Sequence, residues 1–252
     1  MKTLKESILS STNTGKTKFL FPKTKKELQR MIDEEIKKNG WNCSLNHIKV
    51  DKITDMSELF DSVKLAKFNG DISEWNVSNV TNMEGMFYDT LFNGNISKWN
   101  VSNVTNMEGM FALSDFNGNI SEWNVSNVTN MNSMFYGSVF NGNISEWNVG
   151  KVTNMKDMFD GSEFNGDISE WNVSSVENME RMFVDSQFNN DIKNWNIGKV
   201  TNMKYMFCGS NFNKDISKWN INVDCNTEMM FYHTMMKTKN KPFKNGKRLQ
   251  ES

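Results

Sequence analysis

The sequence is poor in the residues on which most catalytic and cross-linked proteins rely. Only two prolines occur in 252 residues, Pro22 and Pro242, and they bracket an uninterrupted middle. Two histidines, His47 and His233, leave little material for metal ligation or for acid–base chemistry near neutral pH. The three cysteines, Cys43, Cys208 and Cys225, show no C-x-x-C spacing, which argues against a disulfide framework and a structural zinc site. Charge of one sign is also lacking: 29 basic side chains face 30 acidic ones, for a net charge of -1. A nucleic-acid binder needs a basic excess to neutralise phosphates, so nucleic acid is not expected as a partner. No run of 18 apolar residues occurs, so no membrane span is expected. The opening MKTLKESILSSTNTGKTKFLF has no long apolar stretch and no small-residue cleavage site, and does not read as a secretory signal. No enzyme activity, cofactor or metal is expected from this inventory.

What the sequence has instead is a period. Trp75, Trp99, Trp123, Trp147, Trp171, Trp195 and Trp219 fall 24 residues apart, and Phe68, Phe92, Phe116, Phe140, Phe164, Phe188 and Phe212 keep step with them. A partial copy precedes these, with Ile53, Met56, Leu59 and Phe60 matching Val80, Met83, Met86 and Phe87, and the last copy is degraded, with Thr227 in place of a methionine. Such self-similarity is the mark of a repeat architecture, in which a lone unit cannot bury its apolar groups but stacked units can. The expected fold is therefore a repeat solenoid with one short strand and one helical turn per 24-residue unit. Ile72 to Val77 is read as the strand. Met83, Met86 and Phe87, at i, i+3 and i+4, are read as the helical turn, with Asn82 as its N-cap. Asn69-Gly70 reads as a turn dipeptide suited to positive φ. Asn76, Asn100, Asn124, Asn148, Asn172, Asn196 and Asn220 fill one column beside the tryptophans. Their amides are expected to form a structural ladder along the stack; the alternative is that each merely turns the chain and faces water.

The ends divide the chain. Residues 1–21 are expected to be a flexible segment and 22–47 a capping-helix region. Residues 48–236 form the solenoid of about eight repeats, and 237–252 a disordered basic tail. Thr24-Lys-Lys-Glu27 is a capping box, Leu28, Met31, Ile32 and Ile36 make one apolar stripe, and Gly40 supplies a stop. This helix is expected to cover the first coil; an amphipathic partner-binding helix is the rival reading.

At FNGDISEWNVSNVTNMEGMF the sequence resembles the BspA-like leucine-rich-repeat surface proteins, over residues 22 to about 236. The resemblance implies a right-handed, leucine-rich-repeat-like solenoid, display at the cell surface or secretion, and adhesion or protein binding. It carries no catalytic residues. The sequence departs from that pattern in lacking an export signal or a lipoprotein cysteine near the start, the first cysteine being Cys43, which leaves a cytoplasmic location open.

Several motifs read as by-products of the repeat. Ser10-Ser-Thr-Asn-Thr-Gly15-Lys16-Thr17 imitates a P-loop without the strand and helix that a P-loop needs. Asp167, Asp191 and Asp215 share a column in adjacent units, but further calcium ligands are not evident, so turn formation is the expected role. The threonine column that includes Thr81 and Thr105 is broken by Glu177, which speaks against a flat ice-binding array. Binding is expected where the copies differ. The two residues before each Met-Phe pair vary, as does the residue after it, and Tyr88, Tyr136, Arg181, Tyr205 and Tyr232 are the expected binding face. The expected partner is a protein or host-surface ligand. A poorly capped last unit with Met229, Met230, Met235 and Met236 motivates the alternative, a structural or self-associating solenoid, giving a monomer or weak end-to-end association.

Overall fold

The computed structural model describes residues 18–60 and 65–250. The chain opens with one helix, α1 (Lys25–Asn39), continues as a stack of 24-residue units, and closes with a short 3-10 turn (Thr238–Asn240) and a small hairpin of β1 (Phe243–Lys244) and β2 (Lys247–Arg248). Thr24 caps α1 by accepting from the Glu27 N–H at 3.2 Å, and the Glu27 carboxylate accepts in return from the Lys23 N–H at 2.7 Å. Gly40, at φ 84°, ends the helix by donating its N–H to the Ile36 carbonyl. Leu28, Ile32 and Ile36 join the core of the stack, so α1 lies against the first unit. No helix among the described residues is long and apolar enough to cross a membrane.

Each unit is built from turns, where a strand and a helical turn were expected. Ile72 accepts from the Trp75 N–H and Val77 from the Val80 N–H, so the segment read as a strand is two consecutive bends. The Met83–Phe87 segment is not helical, because Gly85 sits in the left-handed region at φ 54° and Asp89 at φ 51°. Both positions repeat. Glu58, Gly85, Gly109, Ser133, Asp157, Arg181, Tyr205 and Met229 all lie between 50° and 58°, and a second column from Asp89 to His233 lies between 48° and 65°. A left-handed L-residue costs about 1–2 kcal/mol, so something must offset two of them per unit. The offset is a row of hydrogen bonds between units. Met83, Gly85, Phe87 and Asp89 donate their N–H groups to the carbonyls of Asn106, Glu108, Met110 and Ala112 in the next unit, at 2.7–3.0 Å. Parallel bridges link Asp55, Asn82, Asn106, Asn130, Asn154, Asn178, Asn202 and Asn226 in series. Asn82 is thus a bridging residue whose Oδ1 accepts from the Glu84 N–H, and no helix follows it.

The core between the units is aromatic. Phe60, Phe87, Phe111, Phe135, Phe159, Phe183, Phe207 and Phe231 form one column of parallel rings with centroids 5.4–5.9 Å apart. Phe68 to Phe212 form a second at 6.0–6.3 Å, and the two columns touch at about 4.3 Å, as between Phe87 and Phe92. Each buried ring adds roughly 1.5–3 kcal/mol. Gly70 and Gly94 are not left-handed, contrary to the turn expectation. They are small because a Cβ on Gly70 would run into the Cys43 carbonyl oxygen and stand 2.6 Å from the Phe68 ring, and one on Gly94 would stand 2.7 Å from the Phe92 ring. The tryptophan column links units through its indoles: Trp99 donates to the Ile72 carbonyl, Trp123 to Ile96, and so on to Trp219 on Ile192, at 3.0–3.2 Å.

Asparagines satisfy the corners, by a different column from the one expected. Asn76, Asn100, Asn124, Asn148, Asn172 and Asn196 each accept, through Oδ1, from the backbone two residues on, closing a local turn, and all are exposed. Asn220 instead pairs its backbone with Phe243. The ladder runs through Asn69, Asn93, Asn117, Asn141, Asn165, Asn189 and Asn213, each Oδ1 accepting from the N–H one unit later at 2.9–3.0 Å.

The ends also differ from expectation. Residues 18–21 are not loose, since Leu20 pairs with Ile48 and exchanges hydrogen bonds with His47 and Lys49. The rest of the segment expected to be flexible, residues 1–17 with the P-loop-like run, lies outside the described residues. The tail expected to be disordered folds over the last unit. Asn245 and Gly246, both at positive φ, turn the hairpin, Ile216 donates to the Asn240 carbonyl, and Lys244 Nζ donates to the Cys225 carbonyl. Two of its basic side chains, Lys244 and Arg248, donate to backbone carbonyls, which ties a lysine-rich run to the last unit. Lys241 is buried, with its Nζ 5.2 Å from the Phe231 ring centroid.

Because the same links recur between each pair of neighbouring units, excising residues 99–122 should leave a chain that unfolds in one cooperative thermal transition with native-like near-UV circular dichroism. Excising only 99–110 should abolish both signals.

Candidate functional site

The residues singled out for variation fall on the left-handed segment that carries the inter-unit row: Met83, Met86 and Phe87 are buried there, which leaves the half-buried Glu84 and the exposed Tyr88 toward the outside. Three of the five expected binding residues, Tyr88, Tyr136 and Arg181, line one open groove of about 550 Å³. Tyr205 and Tyr232 lie further along the stack and are not part of its lining. The floor of the groove is backbone. Gly85 and Gly109 stand in the left-handed column, and a Cβ on Gly109 would meet nothing within 4 Å. In later units the same column carries Ser133, Asp157, Arg181, Tyr205 and Met229, so the trough is deepest where glycine replaces a side chain. Ala112 lies between Tyr88 and Tyr136 in its column and leaves a gap between the two rings, which are 39% and 37% exposed. Glu58, Glu84 and Glu108 complete the near end. Sequence reasoning did not choose these glutamates and glycines as site residues, although Glu84, Glu108, Gly85 and Gly109 were visible as variation in two neighbouring columns; Glu58 was not.

The far end is closed by an ion-paired cluster. Arg181 Nε lies 2.9 Å from Asp157 Oδ1, and its Nη2 lies 2.6 Å from Asp160 Oδ2. Burial pushes the Asp160 carboxyl up to about 6, with the Arg181 guanidinium pulling against it, and burial also raises Asp157 against the pull of Lys156 and Arg181. Lys204 sits 2.9 Å from Glu228 and 5.2 Å above the Tyr205 ring, so Tyr205 already carries a cation on its face. Tyr232 is in edge contact with His233 at 3.9 Å.

The remaining candidates have local roles. Asp167, Asp191 and Asp215 each accept from the backbone N–H two residues on, as turn-formers do. Thr81, Thr105, Thr129, Thr153 and Thr201 donate their hydroxyls to carbonyls of the preceding unit. All three cysteines are free thiols, their pKa raised by burial.

The Asp160 carboxyl gives the cluster a pH signature. Between its ordinary value near 3.8 and about 6, only the folded chain holds the proton, so its contribution to stability falls as pH rises through that window. The melting temperature of Asp160→Asn should therefore gain on that of the wild type between about pH 4 and about pH 6.5. A difference that stays flat across that range contradicts the burial of this carboxyl.

A family model described as "Mycoplasma protein of unknown function, DUF285" matches the chain twice, over residues 26–140 and 137–245. No curated protein and no solved structure matches it. The two matches together run from the helix through the stacked units to the first strand of the closing hairpin, and the chain is a member of this DUF285 family.

Proposed function

We propose that the chain is a non-enzymatic binding module that presents the groove floored by Gly85 and Gly109 to a protein or host-surface partner. The observation that carries this reading is the separation of roles by column. Phenylalanine, tryptophan and asparagine positions repeat almost unchanged through the core. The residues beside the left-handed column change from unit to unit and open into one groove that runs from Glu58 to Arg181. A surface under no demand would vary without forming a concavity flanked by exposed tyrosines, the side chains best suited to anchor an interface.

The resemblance at FNGDISEWNVSNVTNMEGMF supports the finer form of this reading: a right-handed, leucine-rich-repeat-like solenoid of the BspA-like type, working in adhesion at a cell surface or after secretion. The parallel bridges one period apart and α1 over the first unit fit such a solenoid with a capped start. The test is capture of host-surface proteins by the chain and by a variant with alanine at Tyr88, Tyr136 and Arg181. Partners retained by the wild type should be lost or weakened at least tenfold by the variant, and equal retention removes the groove from consideration.

A second reading, end-to-end association, is favoured by one feature of the last unit. Thr227, Met229, Phe231 and His233 correspond to the residues that donate to a following unit, and their N–H groups have no acceptor among the described residues. Met235, 78% exposed, lies beside them. Sedimentation velocity over a hundredfold concentration range decides: a growing weight-average mass supports association, and a constant monomer mass refutes it.

A further inference from the structure

The groove contains, at its own far end, a picture of what could fill its near end. Arg181 occupies the left-handed column, and its guanidinium lies on Asp157, the residue one unit earlier in that column, at 2.9 Å. Gly85 occupies the same column, and the residue one unit before it is Glu58. The two pairs are built alike: the Glu58 N–H donates to the Glu84 carbonyl at 2.7 Å, as the Asp157 N–H donates to the Glu180 carbonyl at 2.9 Å. A Cβ placed on Gly85 would stand 3.5 Å from the Glu58 side chain and 3.8 Å from the Tyr88 Cβ. The acid is thus retained where the arginine is deleted. Glu58 and Glu84 make no ion pair among the described residues, whereas Asp157 does.

Resting on the binding-module reading above, the geometry points to a cationic side chain of the partner, an arginine or lysine on an extended segment, as the group that fills the space over Gly85. The carboxylates of Glu58 and Glu84 are its counter-charges. Tyr88 and Tyr136 line the groove two units apart, about 10 Å at ordinary ladder spacing, and aromatic rings attract cations. The molecule already makes that second contact elsewhere, with Lys204 Nζ 5.2 Å from the Tyr205 ring centroid. A glutamate-rich or neutral segment meets neither arrangement, since it would bring like charge or none against Glu58 and Glu84.

The experiment is a titration of the full ¹⁵N-labelled chain with N-acetyl-tetra-arginine amide, with tetraglutamate and tetraserine of the same blocking as controls. The backbone amides of Gly85 and Gly109 should shift with tetra-arginine alone, and the dissociation constant should rise at least tenfold in the double variant Glu58→Gln, Glu84→Gln. A second variant, Gly85→Arg, places in the groove the residue that the chain itself carries in that column at position 181. It should keep the native near-UV spectrum and lose the tetra-arginine response. Silent glycine amides, shifts confined to acids elsewhere, or equal binding by Gly85→Arg overturn the inference. Shifts with tetraserine or tetraglutamate instead also overturn it, while leaving the groove as a binding site. The capture experiment with the tyrosine and arginine variant judges the wider reading separately.

Discussion

The whole stack depends on a hydrogen-bond row in which every donor faces the same way. In each unit but the last, alternate N–H groups from Met83 to Asp89, or their equivalents, reach the carbonyls of the next unit, and the intervening N–H groups of Met86 and Tyr88 turn back to close local bends. That arrangement requires the backbone to be left-handed at two positions four residues apart, which an ordinary strand or helix cannot supply. The cost at each non-glycine position is repaid because the same geometry satisfies buried backbone groups that would otherwise be orphaned. Among the described residues no buried side-chain nitrogen or oxygen is left without a partner.

Around this row the side chains divide the remaining work. The phenylalanine columns fill the interior, and the tryptophans combine burial with an indole donor directed at the preceding unit. The Asn69 column ties the opposite side of each unit to its neighbour. Buried hydroxyls at Thr90, Ser114, Ser186 and Ser210 answer the carbonyls of Phe87, Phe111, Phe183 and Phe207, one unit at a time. Nothing in this framework calls on the residues beside the left-handed column, and those are the ones that form the groove.

Much of this was legible in the sequence, and the misreadings have physical causes. The 24-residue period, the buried columns and the helix from the Thr24 cap to the Gly40 stop follow from spacing and capping chemistry. The unit's interior did not, because Met83, Met86 and Phe87 have the spacing of a helical face while Gly85 breaks the helix between them. Left-handed residues usually betray themselves as glycine, yet this column also holds Glu58, Asp157, Arg181 and Tyr205, so no glycine signature marks it. Three asparagine columns look alike on paper, and only the fold separates the ladder at Asn69 from the turns at Asn76 and the bridges at Asn82. The hairpin in the tail was announced by Asn245-Gly246, but the surrounding lysines gave the stronger impression. The groove was partly visible: Tyr88, Tyr136 and Arg181 were found by variation, whereas Glu58 stands in the partial first copy, where only the apolar positions were compared.

The left-handed column has one consequence for how such a chain can change. Because Glu, Gly, Ser, Asp, Arg, Tyr and Met all occupy it at nearly the same φ, the framework is indifferent to what stands there. Swapping or duplicating whole units therefore reshuffles the outer face while leaving every aromatic and asparagine contact in register. A repertoire of differently shaped and charged surfaces is reachable by recombination between near-identical segments, with no compensating substitution inside.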